Sequence, residues 1–160
     1  MKEKLQLLNS NVQPEWVDYN GHMNDSAYAL IFTNALEKLV DHVGLDAVAR
    51  EAYQYTTYTL EAHTCFLQEA QEAQPLCVTG QLLNWDAKRI HLFMEMMDEN
   101  GETVATSELM LMGMDAGTKK PRSFPEPVME KIKALNEQQQ EIPYPARAGR
   151  TIGIPAKKTS

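Results

Sequence analysis

A short polar loop near the N-terminus holds the residue types that hydrolytic chemistry uses. Within seven residues it carries the carboxylate of Asp18, the amides of Asn20 and Asn24, and the imidazole of His22. Asp18 can act as a nucleophile or as a general base on water, and His22 can act as an acid–base group or polarise a carbonyl. A capping loop with polar side chains is the alternative interpretation, and the loop by itself leaves both open.

A helix must begin directly after this loop. The apolar residues fall at i, i+3, i+4 and i+7 and continue in that rhythm, which predicts one long amphipathic helix with the face Tyr28, Ile31, Phe32, Ala35, Leu36, Leu39, Val40 and Val43. Asn24, Asp25 or Ser26 can cap its start. Free amides and the helix dipole there favour a developing negative charge, such as the oxyanion of an attacked carbonyl.

The apolar period then changes from 3.6 to 2, which is typical of strands. We predict strands at Leu5–Glu15, Tyr55–Glu69, Pro75–Trp85, Arg89–Met97 and Thr103–Met114, with minor helices at Leu45–Glu51 and about Val128–Gln139. A strand, a long helix and four meandering strands predict an α+β fold in which a curved antiparallel sheet wraps around one central helix. Its exposed edge strand would need covering, so we expect at least a dimer.

Glu61 and His63 lie two residues apart on a predicted strand and therefore share a face. A carboxylate placed beside the His22 loop could orient that imidazole or activate a water, whereas a solvated strand face is the alternative. A metal could in principle be bound by Asp18, His22, Glu61 and His63. No HxxxH or HExxH spacing supports this, and we expect no metal site. Cys65 lies two residues from His63, and we expect its side chain to be packed in the interior rather than to act as a nucleophile.

The charge is unevenly spread along the 160 residues. The net charge of −7 divides into −12 over residues 1–116 and +5 over residues 117–160, which argues against nucleic acid as the main partner.

No apolar run approaches the ~20 residues that span a bilayer, and no secretory signal is visible. Cys65 and Cys77 match no zinc or redox spacing, so we expect reduced buried thiols and a cytoplasmic protein. We divide the chain into a domain at 1–127 and a C-terminal helix with an extended basic tail at 128–160.

Aromatic side chains cluster near the polar loop, namely Trp16, Tyr19 and Tyr28. Aromatic faces in acidic surroundings are how proteins hold quaternary ammonium groups. Packing in the core is the alternative interpretation, and it applies first to Tyr28.

The stretch from Trp16 to Tyr28, WVDYNGHMNDSAY, resembles the first motif of hotdog-fold acyl thioesterases, and the resemblance continues to about Phe124. In the 4-hydroxybenzoyl-CoA thioesterase branch an Asp, matched here by Asp18, attacks the thioester or activates water. In the fatty acyl-ACP branch the motif carries Asp, Asn and His, matched by Asp18, Asn20 and His22, and a strand carboxylate is similar to Glu61. The resemblance leaves open whether Asp18 or Glu61 is the nucleophile or general base.

Within this superfamily the loop and the later strand segment EAH look most like the small betainyl-CoA thioesterases of carnitine breakdown. This implies hydrolysis of a CoA thioester that bears a trimethylammonium group, without a metal or redox cofactor, in a homodimer or homotetramer. The acyl group would contact Trp16, Tyr19, Tyr28 and His63, and the CoA phosphates would contact Lys88, Arg89, Lys119, Lys120 and Arg122. The alternatives are a thioesterase for neutral acyl-CoA or acyl-ACP, a 3-hydroxyacyl-thioester dehydratase and a non-catalytic acyl-CoA binder.

Overall fold

The helix predicted from the apolar spacing runs from Asp25 to His42 (α1) in the computed structural model, which describes residues 3–157. Seven of the eight residues of its predicted apolar face are buried, and Leu36 is half-buried. Full burial of one large aliphatic or aromatic side chain stabilises a fold by roughly 1.5–3 kcal/mol. This stripe therefore holds α1 firmly against the sheet.

Within residues 3–157, five antiparallel strands form one sheet in the order β1-β3-β4-β5-β2. Their bounds are Leu5–Asn11 (β1), Tyr55–Phe66 (β2), Pro75–Trp85 (β3), Arg89–Met97 (β4) and Thr103–Asp115 (β5). Two further helices, Ala47–Tyr53 (α2) and Glu126–Gln139 (α3), precede β2 and follow β5. The helix α1 packs on one face of the sheet, so the predicted α+β hotdog architecture is confirmed.

The order of the strands corrects the predicted four-strand meander. Only β3, β4 and β5 are consecutive neighbours, while β2 pairs with β5 at the far edge of the sheet. The chain between β2 and β3 passes the start of α1, where the Met23 amide donates to the carbonyl of Ala70. This crossing carries the chain from one edge of the sheet to the strand next to β1.

Several predicted boundaries also shift for local reasons. The first strand ends at Asn11 rather than Glu15, because a 3-10 turn starts at Pro14. The second helix begins two residues later than predicted, because the Asp46 carboxylate caps it by accepting from the Ala49 amide. The strand β2 ends at Phe66, three residues earlier than expected.

A bulge at Leu60 changes which side chains of β2 face α1. Thr59 is opposite Leu111, and Glu61 is opposite Met110, so these two β2 residues lie on opposite faces. The period of 2 that the sequence predicts for this strand is therefore interrupted at Leu60. Glu61 and His63 still share a face, as predicted, but it is the outer face, directed away from α1.

The end of the sheet opposite the polar loop is held by a polar and aromatic cluster. Arg122 donates to the carboxylate of Asp115 at 2.7 Å and to the Tyr53 carbonyl at 2.8 Å, and it lies 4.8 Å from the centre of the Tyr55 ring. Hydrogen bonds from the Thr118 amide and from Arg122 lower the pKa of Asp115 to about 2. Burial raises the pKa of Tyr55, whose hydroxyl donates to the Arg122 carbonyl at 2.8 Å.

The C-terminal part of the chain covers the edge of β3 and the outer face of the sheet. Three apolar residues of α3 are buried in the common core, namely Val128, Ile132 and Leu135. Gln139 accepts from the Leu82 amide and donates to the Gly80 carbonyl, so its side chain continues the hydrogen bonding of β3 beyond the end of β1. The division of the chain at residue 127 stays a prediction, and residues 158–160 of its tail lie outside the described part.

Gly113 is the position where the close packing around Tyr55 is most sensitive to a side chain. A Cβ atom added there would lie 1.6 Å from the Tyr55 hydroxyl oxygen and 3.0 Å from the Arg122 carbonyl oxygen. We expect Gly113→Ala to lower the free energy of unfolding by about 1–3 kcal/mol in urea titrations, because the buried tyrosine must move. Gly153→Ala is the matched control, since nothing lies within 4 Å of its added Cβ. Equal stability of the two variants would contradict this packing.

Candidate functional site

The polar loop is a tight turn that holds the carboxylate of Asp18 in place. Its Oδ1 accepts from the amides of Asn20 at 2.8 Å and His22 at 3.3 Å. Gly21 lies within the turn and has a φ of +80°, a conformation that glycine adopts without strain. Within the described residues Oδ2 of Asp18 has no partner, and the residue is exposed. One carboxylate oxygen is thus fixed by the loop and the other is available for chemistry.

The segment that follows β2 holds this loop from the other side. The Met23 amide donates to the Ala70 carbonyl at 2.7 Å, and His22 forms an isolated bridge with Gln71. The hydroxyl of Tyr28 donates to the Gln68 carbonyl at 3.0 Å and accepts from the Ala70 amide at 3.1 Å. These contacts fix residues 68–71 beside the start of α1.

The start of α1 is capped by Asn24, one of the three predicted candidates. Its side-chain oxygen accepts from the Ala27 amide at 2.9 Å, and its side-chain nitrogen donates to the Trp16 carbonyl at 2.7 Å. The Asn24 amide also donates to Trp16, and the Ser26 amide donates to the Asp25 carboxylate. Of the three amides predicted to bind an oxyanion, only that of Asp25 therefore lacks an acceptor among residues 3–157.

His22 is paired with Glu69, a residue that the sequence analysis did not select. His22 Nε2 lies 3.1 Å from an oxygen of the Glu69 carboxylate, which is mostly exposed. A carboxylate that accepts from Nε2–H leaves Nδ1 of the neutral ring free to accept a proton. The sequence signal for Glu69 is its place in the polar run that follows Phe66, and the predicted strand Tyr55–Glu69 includes the start of that run.

A cavity of about 290 Å³ opens next to this pair. Glu69, Phe66 and Gln68 form one side, and residues at the start of α1 form the other. Its full lining is Met23, Asp25, Tyr28, Phe66, Leu67, Gln68 and Glu69. The cavity therefore adjoins the predicted oxyanion site at Asp25.

The structure does not bring Glu61 and His63 to the polar loop within one protomer. Both lie on the outer face of the sheet, where they line a cavity of about 430 Å³ with His91, Glu108 and part of the C-terminal segment. The carboxylate of Glu108 contacts His91 at 2.7 Å and accepts from the Gly149 amide at 2.6 Å. The expected placement of Glu61 beside His22 is thus wrong for a single protomer, and Glu69 lies there instead.

The three predicted aromatic residues do not enclose a common space. Tyr28 is buried, and its ring packs against Phe66 with centroids 5.3 Å apart and planes at 84°. Trp16 is half-buried against the core, whereas Tyr19 is 98% exposed. Phe66, about half exposed, is the aromatic neighbour of Tyr28 that the sequence does not reveal, because the two residues are far apart in the chain.

The five predicted phosphate contacts lie at the sheet end far from the polar loop. Gly113 donates to the Lys88 carbonyl, and Asp115 donates to that of Lys120, so the segments that carry these basic residues meet there. Lys88, Lys119 and Lys120 are exposed. Arg89 is paired with Asp86 at 2.6 Å, and Arg122 with Asp115 as described above, so these two are already engaged.

The remaining predictions concern metals, membranes and thiols. Residues 3–157 contain no group of three or more His, Cys, Asp or Glu side chains able to hold a metal ion. No helix in this part of the chain is long and apolar enough to cross a membrane. Cys65 and Cys77 are unpaired but only half-buried, because both lie on the outer face of the sheet. Burial nevertheless raises the pKa of the Cys77 thiol.

Comparison with known proteins places these features in one family. The family model described as the thioesterase-like superfamily matches residues 12–132. A betainyl-CoA thioesterase of Pseudomonas aeruginosa is 37% identical over 97% of this chain and 98% of the relative. An L-carnitine dehydrogenase/betainyl-CoA thioesterase of Agrobacterium fabrum is 38% identical over 98% of this chain, which spans 32% of that longer protein.

A solved structure of similar shape comes from Staphylococcus aureus. That protein, characterised in complex with CoA, superposes with a TM-score of 0.89 and is 34% identical, with coverage of 95% of this chain and 97% of the other.

Proposed function

Since this chain belongs to the thioesterase-like superfamily, we propose that it hydrolyses betainyl-CoA to betaine and CoA in carnitine breakdown. The observation that carries this proposal is the 37% identity to a betainyl-CoA thioesterase over nearly the full length of both chains. The fusion of a similar segment to an L-carnitine dehydrogenase in another relative supports the same metabolic context.

The proposed reaction takes place at the start of α1. The thioester carbonyl oxygen faces the Asp25 amide, and the positive end of the helix dipole stabilises the oxyanion. Asp18 Oδ2 either attacks the carbonyl carbon or removes a proton from the attacking water. If Asp18 attacks, the carbon–sulfur bond breaks to leave a mixed anhydride between Asp18 and the acyl group, and water then hydrolyses this anhydride to release the new carboxylate and restore Asp18. If Asp18 acts as the base, water adds to the carbonyl carbon directly and the carbon–sulfur bond then breaks. In both routes CoA leaves as a thiolate and becomes a thiol by taking up a proton that the water gives up.

His22 and Asn20 assist this reaction in the proposal. Glu69 orients the His22 ring through Nε2, so that Nδ1 can exchange a proton with the water or the leaving thiolate. Asn20, in the same turn as Asp18, positions the water. None of these steps uses a metal or a redox cofactor. A catalytic role for Glu61 would require its carboxylate to come from a partner subunit.

We place the enzyme in a homodimer that pairs along β2. This strand has twelve residues and lies at the edge of the sheet, with Tyr58 and Leu60 exposed. Two-fold antiparallel pairing would bring the Tyr55 end of β2 in one copy beside the Phe66 end of β2 in the other. The strand is roughly 36 Å long, at about 3.3 Å per residue. The basic residues Lys88, Lys119 and Lys120 of one protomer would then meet the CoA phosphates bound beside the polar loop of the other.

The unpaired thiols of Cys65 and Cys77 are consistent with the reducing conditions of the cytoplasm. We therefore propose a cytoplasmic location.

Release of CoA thiol from a panel of substrates tests the proposal. Betainyl-CoA, butyryl-CoA and benzoyl-CoA are offered to the purified protein at equal concentration, and free thiol is followed by absorbance. We expect the largest kcat/KM for betainyl-CoA. Preference for a neutral acyl group would retain a thioesterase but contradict the substrate. Release from none of the three would point to a binder or a dehydratase, and alkene formation would identify the latter.

Replacement of His22 tests the proton transfer assigned to this loop. His22→Ala is expected to lower kcat at least about a hundredfold, because it removes the acid–base group. His42→Ala is the matched control, since His42 is exposed at the other end of α1 and should retain full activity. An active His22→Ala enzyme with unchanged kcat would rule out this role.

A further inference from the structure

We propose that the cavity bounded by Phe66, Glu69 and Asp25 is the subsite that holds the trimethylammonium group of the substrate. This inference rests on the proposed function and assigns the cation to residues other than the aromatic set suggested by the sequence. Its two determinants of specificity are Phe66, through its ring, and Glu69, through its carboxylate.

The distance between the cation and the reacting carbon requires the subsite to lie very close to the carbonyl. In a betainyl group one methylene separates the nitrogen from the carbonyl carbon, so the two atoms are about 2.5 Å apart at ordinary bond lengths. Asp25 satisfies this requirement, since its amide lies at the proposed oxyanion site and the residue also lines the cavity. A carbonyl bound at the start of α1 therefore directs its acyl substituent into this space.

Two aromatic rings form a corner of the cavity. The Tyr28 and Phe66 rings are nearly perpendicular, at 84°, and Tyr28 is fixed by hydrogen bonds of its hydroxyl to Gln68 and Ala70. Phe66 is 53% exposed, so its ring remains accessible to a ligand. A quaternary ammonium group is attracted to such a ring face, because the face carries the negative part of the ring's quadrupole.

Two carboxylates supply the complementary charge. Asp25 and Glu69 both line the cavity, and among the described residues its lining contains no lysine or arginine. A cation cannot donate a hydrogen bond when it is fully methylated, so it is recognised through charge and ring faces rather than through directed polar contacts. The lining therefore favours a methylated cation and repels an anionic acyl group. A neutral acyl group would leave the two carboxylates without a compensating charge.

Trp16 and Tyr19 do not contribute to this subsite. Neither lines the cavity, and Tyr19 is almost completely exposed. The subsite depends instead on the crossing of the chain after β2, which brings Phe66 and Glu69 to the start of α1.

An isosteric pair of substrates tests this inference. Betainyl-CoA is compared with 3,3-dimethylbutanoyl-CoA, in which a carbon atom replaces the quaternary nitrogen and the shape is retained. The measured quantity is the ratio of the two kcat/KM values, which cancels effects on catalysis common to both substrates. We expect the wild-type protein to prefer the cationic substrate, and Phe66→Leu and Glu69→Gln each to lower the ratio about tenfold.

Matched controls separate the subsite from general effects. Tyr144→Leu removes an exposed aromatic ring, and Glu72→Gln removes an exposed carboxylate close to Glu69 in the chain, so both should leave the ratio unchanged. Glu69 is exposed, so Glu69→Gln should fold and keeps the test valid if Phe66→Leu misfolds. Any loss of its contact with His22 lowers kcat/KM for both substrates and cancels in the ratio.

The outcomes separate this inference from the proposed function. A wild-type ratio near one, or a ratio that neither variant lowers, would overturn the subsite while thiol release still supports hydrolysis. Absence of thiol release from betainyl-CoA by the wild-type protein would overturn the proposed function itself.

Discussion

Burial of the apolar face of α1 against the sheet is the constraint on which the rest of the structure depends. The face is continuous from Tyr28 to Val43, so the helix has one orientation in which its stripe is covered. That orientation fixes the start of α1, and with it the Asp18 turn, at one end of the sheet. The reactive loop can be exposed and short because the long helix behind it is rigidly held.

The second requirement is the contact between the polar loop and the chain that leaves β2. Residues 68–71 bond to Met23 and Tyr28, and so the segment after the strand becomes one wall of the candidate site. Because this wall brings Glu69 to His22 and Phe66 to Tyr28, it provides both an orienting carboxylate and an aromatic corner. Chemistry at the helix start and recognition of the acyl group thus depend on the same crossing.

The fold was largely predictable from the sequence because its signals are local. The spacing of apolar residues in α1 and the alternation in β3 and β4 are properties of neighbouring residues, and both strands have the predicted bounds. The bulge at Leu60 was not predictable, since it depends on pairing with β5, and it places Thr59 and Glu61 on opposite faces of the sheet. For the same reason the position of Glu61 away from the His22 loop was not predictable. The proximity of Glu69 to His22 depends instead on the end of β2 at Phe66, three residues before the predicted end.

The candidate site was predictable only where it lies within one continuous stretch. Asp18, Asn20, His22 and Asn24 occupy a single turn and helix cap, and the structure brings all four together as the motif suggested. The prediction that Trp16, Tyr19 and Tyr28 surround one ligand was wrong, because residues near in sequence need not share a pocket. Tyr28 turned inward to Gln68 while Tyr19 turned outward to solvent.

The central claim is that the free carboxylate oxygen of Asp18 performs the hydrolysis, and steady-state kinetics of Asp18→Asn test it most directly. Asparagine keeps the oxygen that accepts from the Asn20 amide, so the turn should be retained while the reactive charge is lost. The account predicts that kcat for betainyl-CoA falls at least about a hundredfold, with an unchanged circular dichroism spectrum. A folded Asp18→Asn protein with wild-type kcat would contradict it.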